Sequence, residues 1–276
     1  MNYLEFTTFL LPEIVLLVTA LAVIGFGMAG LHSAPEPREG RLQVGDPRKA
    51  SLLSALVSIV GVLIAGGILF FFPQEGSLPG GMLVLDPLTN LFKLVLLVMT
   101  FVAIILLRES PPLRHTAENF ALLLFAAIGM MLVVGTEELL VLFLGLELTA
   151  LSLYVLVGFT KADIRSAEAA LKYFLFGSIS AAFLLFGLSL VYGFTGSTEL
   201  GAIGLAMQAR GIEPILAVGL AMTLAGFGFK VSAVPFHLWA PDVYQAAPTP
   251  AAALIASGSK VAGIFILAKV LLLGFA

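Results

Sequence analysis

Three ionisable side chains sit in stretches that are otherwise almost wholly apolar. They are Glu147 in LGLELTALSLYVLVGF (144–159), Lys230 in AGFGFKVSAVPFHLW (225–239) and Lys260 in AAALIASGSKVAGIFIL (251–267). Away from water a lysine gives up its proton far more readily than in solution, and a carboxylate beside it restores the hold. Moving or neutralising that carboxylate therefore switches the lysine between two states. The chemistry these residues suit is proton transfer. Taken on their own, they equally fit an ion carrier or a metabolite carrier. Gly226 and Gly228 precede Lys230, and Pro235 follows it. These breakers predict an interrupted helix between Gly226 and Pro235, with freed backbone groups and room for water around the ammonium. Such a break at membrane depth is tolerated only inside protein or beside a wet cavity.

The elements that must carry these charges are membrane helices. The chain has 276 residues, 60% of them hydrophobic and 11% charged, where a soluble domain has about 25% charged residues. Mean hydropathy is +1.09, too high for a water-facing surface. The net charge of −3 says little, because the position of the charges matters more than their sum. There is no cysteine, which excludes disulfides, thiolate-ligated iron–sulfur clusters and thioether-linked haem. His32, His115 and His237 are far apart and lack ligand spacing. No metal site, cofactor site or nucleic-acid partner is expected on this chain. Glu5 and Glu13 are acidic where a secretory leader would be basic, so 10–31 reads as an uncleaved first span.

A span needs about 20 apolar residues to cross roughly 30 Å of hydrocarbon. Eight are predicted: 10–31, 51–73, 88–107, 118–135, 138–159, 171–194, 214–235 and 249–273, an all-α polytopic membrane protein. Helices follow because a lipid-exposed backbone must satisfy its own hydrogen bonds. Lysine and arginine orient them. The connections after spans one, three and five carry Arg38, Arg41, Arg48, Lys49, Arg108, Arg114, Lys161 and Arg165. Those after spans two, four and six carry only Arg210. This bias puts the odd-numbered connections in the cytoplasm and the amino terminus outside.

At a rise of 1.5 Å per residue, Glu147 lies about 14 Å into span five and Lys260 about 16 Å into span eight, both near the midplane. A charge there costs about 2.5–3.5 kcal/mol on insertion scales. Lys230, Lys260 and Glu147 are too deep to snorkel. Lys269, near the end of span eight, and Lys93, early in span three, are expected to snorkel to the surface. Lys172 opens span six with Glu168 one turn earlier, a spacing that suits a surface ion pair.

Longer motifs carry a resemblance. LGLELTALSLYVLVGF (144–159), GFGFKVSAVPFHLWAPDVYQAAPTP (226–250) and AAALIASGSKVAGIFIL (251–267) resemble helices five, seven and eight of the antiporter-like subunits of respiratory complex I. RSAEAALKYFLFGSISAAFLLFGLSLVYGFTG (165–196) is similar to the helix between. These subunits are homologues of multi-subunit cation/proton antiporters. PDVYQ followed by SK is the pattern of the N-type subunit, where the larger paralogues read PDAM and methionine. The resemblance implies that Glu147 pairs with Lys230, that Lys260 is the central-axis lysine, and that Lys172 lies on the route between them. His237, in the PFH motif, either holds the turn or relays protons.

The resemblance further implies a membrane subunit that couples NADH oxidation by quinone to proton translocation, in a bacterial inner membrane. NADH, FMN, iron–sulfur clusters and quinone would then belong to partner subunits, and antiporter-like paralogues would be neighbours. Residues 1–117 would be three leading helices and 118–276 the first five-helix repeat. Family members have about fourteen helices, with an inverted second repeat. That second repeat is absent from this sequence, so a complete path is expected to need further helices. A shortened gene, a split subunit completed by another chain and a partial sequence all fit. A related antiporter or membrane-bound hydrogenase subunit, or a non-conducting structural piece, are the rival expectations.

Overall fold

The computed structural model describes residues 3–32, 47–110, 116–160, 163–211 and 213–275. Arg38, Arg41, Arg114, Lys161 and His115, and the side chains of His32, Arg48 and Lys49, lie outside the described residues. A short α1 (Tyr3–Phe9) leads into α2 (Leu11–His32), α3 (Pro47–Phe71) and α4 (Pro87–Glu109). A small hairpin joins α3 to α4, its strands β1 (Gly76–Ser77) and β2 (Val84–Leu85) paired antiparallel. Then come α5 (Thr116–Gly135), α6 (Leu139–Val157) and α7 (Ile164–Thr195). After them run α8 (Leu200–Arg210), α9 (Pro214–Val231) and α10 (Ala240–Ala246). The last span is broken into α11 (Thr249–Ala256) and α12 (Gly258–Lys269), which ends in a π turn, Val270–Gly274.

Among the described residues eight helical segments are long and apolar enough to cross a membrane, and the chain is a multi-pass membrane protein. Most helix starts are written in the sequence. Asp86 accepts from the Thr89 N–H ahead of Pro87, Glu138 from Val141 and Asp163 from Arg165, while Pro214 opens α9. Burial by itself would raise the Asp86 carboxyl. The Thr89 N–H and the nearby charge of Lys269 outweigh that and hold it below the usual carboxylate range. Two boundaries differ from expectation. α7 begins at Ile164, seven residues early, because Asp163 caps it. The predicted loop after it contains α8, stopped by Gly211 at φ 74°.

α5 is the hub. Its window is 78% buried, more than that of any other span, and it packs against α2, α3, α4, α6 and α12. At one end of the bundle the α5–α6 turn is stitched on both sides. Glu137 N–H donates to the Gly81 carbonyl, and Leu200 N–H donates to the Glu137 carbonyl, both at 2.9 Å.

The expected snorkelling fails at both lysines. Lys93 is fully enclosed and its Nζ lies 2.7 Å from Glu13 Oε1 on α2. Lys269 is paired with Glu137 at 3.2 Å, its side chain 12% exposed, and its Nζ stands 5.4 Å from the Phe265 ring centroid. Both side chains turn into the bundle because a carboxylate waits there, Glu13 on α2 for Lys93 and Glu137 in the α5–α6 turn for Lys269. Glu13, read above only as evidence against a leader, is the partner that this first reading missed. Removing one member of a buried pair leaves the other charge uncompensated, at a cost of about 3–5 kcal/mol, whereas an apolar pair of similar volume is close to neutral. Lys93→Met is therefore expected to lower the unfolding temperature in detergent micelles sharply. Adding Glu13→Leu to it should recover most of the loss.

Candidate functional site

Two glycine–threonine motifs set the helices that carry the deep charges. In GLELT, a Cβ on Gly129 of α5 would come within 2.8 Å of the Gly145 carbonyl, so α5 and α6 touch backbone to backbone. Thr149 satisfies its own hydroxyl on that carbonyl at 2.9 Å. In GLAMT, a Cβ on Gly187 of α7 would come within 2.7 Å of the Gly219 carbonyl, and Thr223 bonds to it at 2.8 Å. Lipid supplies little hydrophobic drive between helices, so such close small-residue contacts do the packing. The first motif seats Glu147 and the second seats the helix of Lys230.

The expected interruption between Gly226 and Pro235 is present, at Ser232, but the two glycines are not its cause. α9 runs unbroken through both glycines to Val231. Gly226 is a contact glycine: its Cβ would fall 2.9 Å from Leu184 Cα, and its carbonyl accepts from Ser180 at 2.9 Å. Gly228 leaves space for the Phe236 ring. The helix stops at Ser232, a non-glycine residue at φ 57°, whose N–H caps the Phe229 carbonyl at 3.1 Å. Pro235 lies in the turn beyond, which leads to α10.

At this helix end the charges meet. Lys230 Nζ is 3.7 Å from Glu147 Oε1, an ion pair too long for a hydrogen bond, with side chains 11% and 22% exposed. Lys260 Nζ donates to the Lys230 carbonyl at 2.9 Å and to Ser232 Oγ at 2.5 Å. Lys260 reaches this position from a helix broken at Ser257, a break unmarked by proline that the sequence reading missed. A cavity of about 20 Å³ adjoins them, lined by Lys230, Thr149, Tyr173, Trp239 and Ser259 among others. That is room for one water, which needs about 10–15 Å³. The arrangement brings two lysines and a carboxylate around one helix end, beside space for a water.

Lys172 is not part of this buried centre. Its side chain is 40% exposed and pairs at 2.8 Å with both Glu168, at the expected spacing, and Asp242 of α10, which was not foreseen. The pair lines an open groove of about 160 Å³ with Arg165 and Gln245. The next residue on α7, Tyr173, lines the inner cavity, so α7 separates groove from cavity by one residue. His237 stands in the turn with Nδ1 buried and without a hydrogen-bond partner. No ion pair or hydrogen bond among the described residues joins its ring to the lysines. Ser232, Trp239 and Asp242 were missed, although all three lie inside or beside the quoted PFH segment. Among the described residues no group of His, Asp and Glu is arranged to hold a metal.

The sequence signature of the transmembrane family "NADH:quinone oxidoreductase/Mrp antiporter" matches residues 136–276. The chain belongs to this family. NADH-quinone oxidoreductase subunit N 2 of Acidobacterium capsulatum is 42% identical, over 100% of this chain and 55% of its own length. F(420)H(2) dehydrogenase subunit N of Methanosarcina mazei is 38% identical, over 97% and 53%. A chain of respiratory complex I from Thermus thermophilus, solved with bound aureothin, superposes with a TM-score of 0.74 at 30% identity, covering 94% of this chain and 52% of that one. The chain thus spans about half the length of the relatives it matches. The family's matched region contains Glu147, Lys172, Lys230, His237 and Lys260, while Glu13 and Lys93 precede it.

The α7–α9 contact generates a test. Gly226→Val forces a branched side chain into the Leu184 backbone and is expected to cost about 1–3 kcal/mol, as overpacking does. Gly193→Ala, on the same α7 but with open space around it, should be neutral or slightly stabilising. Thermal unfolding of the two variants in lipid nanodiscs makes the comparison.

Proposed function

We propose that this chain is a proton-translocating membrane subunit, N-type, of an NADH:quinone oxidoreductase. The observation that carries the reading is the buried centre itself: Glu147 beside Lys230 at 3.7 Å, with Lys260 bonded to the Lys230 carbonyl behind it. Glu147 steadies the proton on Lys230. When redox events elsewhere in the assembly draw that carboxylate off, Lys230 releases its proton toward the cavity and Lys260. Lys172, held in the outer groove by Glu168 and Asp242, is a surface station feeding the path. His237 is a secondary candidate in the turn. NADH, FMN, iron–sulfur clusters and quinone belong on partner subunits, and antiporter-like paralogues and other membrane subunits are the expected neighbours.

Residues 118–276 act in this reading as one five-helix repeat behind the three leading helices of 1–117, and an inverted partner repeat completes the crossing. The membrane is the bacterial inner membrane, with the amino terminus outside. The distribution of lysine and arginine supports that orientation.

A second reading concerns the electron donor. The similarity to an F(420)H(2) dehydrogenase subunit favours a reduced donor other than NADH, with the same proton chemistry in this chain. Donor-dependent quinone reduction by the purified assembly separates the two.

Proton pumping is measured by pH-dye quenching in vesicles, with electron transfer followed in parallel. Lys230→Ala and Glu147→Gln are each expected to cut pumping by at least about tenfold, as loss of a positioned acid or base does. Lys269→Ala, which loses interactions with Glu137, Asp86 and Phe265 away from this centre, should cost far less. Normal pumping by Glu147→Gln in correctly assembled enzyme would remove that pair from the mechanism and favour a non-conducting, structural role.

A further inference from the structure

Lys260 is held differently from every other described lysine in the spans. Lys93, Lys172, Lys230 and Lys269 each face a carboxylate. Lys260 has only neutral partners: the Lys230 carbonyl, the Ser232 hydroxyl and the face of Trp239, whose ring centroid is 4.5 Å from Nζ. All three arise from one event, the ending of α9. The Lys230 carbonyl is among the last of that helix, where unpaired oxygens and the negative end of the helix dipole favour a cation. Ser232 is the left-handed cap. Trp239 is 2% exposed, stacked on Tyr173 at 4.5 Å and 12°, and packed on Phe229 at 4.9 Å. These two rings hold its plane without any contribution from Lys260. Indole is the best aromatic partner for a cation, most of all when the pair is desolvated.

We propose that Trp239 and Ser232 are positioning residues for Lys260, seating its ammonium against the peptide oxygen of Lys230. The proposal rests on the proton-transfer reading above and extends it: the two lysines share one backbone hinge. Glu147 acts on the side chain of Lys230, and the seat of Lys260 is built from that residue's backbone. The other ionisable side chains near the seat are Lys230 on α9, Glu147 on α6, Tyr173 on α7, His237 in the turn and Tyr244 on α10. α5 contributes only Met130 and Val133 to the adjoining cavity.

Trp239 is the single tryptophan of the chain, so its fluorescence reports this seat directly. Emission of the full chain in lipid nanodiscs is compared with that of its variants at one neutral pH. Lys260→Met, which removes the ammonium from over the ring, is expected to change it. Lys260→Arg, always charged, should keep it close to wild type. His237→Gln, which leaves the contact between Lys260 and Trp239 in place, should leave it unchanged. In the assembled enzyme Trp239→Leu should slow proton translocation about tenfold, and Trp239→Phe, which keeps a π face, should restore most of it. An emission that Lys260→Met leaves unchanged overturns the proposal. If the emission behaves as stated while Lys260→Met pumps normally, the seat stands and the proton-transfer reading falls.

Discussion

Everything at the centre of this molecule depends on where α9 ends. A helix that stops inside a bilayer leaves carbonyl oxygens without partners, and in hydrocarbon such groups are costly. Here they are answered from two directions. Ser232 turns left-handed and caps one of them. Lys260 crosses from α12 and donates to another. A backbone defect and a half-buried charge, each unfavourable alone, satisfy one another. That is why a lysine can be kept at this depth without a carboxylate of its own.

The rest of the bundle places this helix end. Glycine–threonine contacts fix α6 on α5 and α9 on α7, so Glu147 and Lys230 approach from different helix pairs. The result is an ion pair of 3.7 Å that lacks a hydrogen bond. A tight, hydrogen-bonded pair is a clasp, as Glu13 and Lys93 form at 2.7 Å with both side chains buried. The longer pair has no such bond and adjoins room for one water. The two pairs contain the same residue types and differ in geometry.

Charge also divides along the membrane normal. At one end of the bundle Lys172, Glu168 and Asp242 sit half exposed in a groove. Inside are the two lysines and Glu147. Toward the opposite end lie Lys269 with Glu137 and Lys93 with Glu13, beside the hairpin and the stitched α5–α6 turn. Ionisable groups therefore occur at three depths, although only the first two adjoin a described cavity.

The sequence by itself determined the spans, because twenty apolar residues can satisfy their backbone only as a helix, whatever their neighbours. It also singled out Glu147, Lys230 and Lys260, since depth in a span is counted along the chain. It misjudged what depends on neighbours. Gly226 and Gly228 read as breakers, yet they are contact glycines, because a missing side chain means flexibility in isolation and close approach when a helix lies against it. Lys93 and Lys269 read as surface residues, because the carboxylates that draw them inward lie 80 and 132 positions away in the chain. Ser232 and Trp239 carried no signal of a role, since a serine cap and a buried indole become a cation seat only when α12 crosses them. Only the tertiary structure decided those contacts, for it alone sets which helix faces meet.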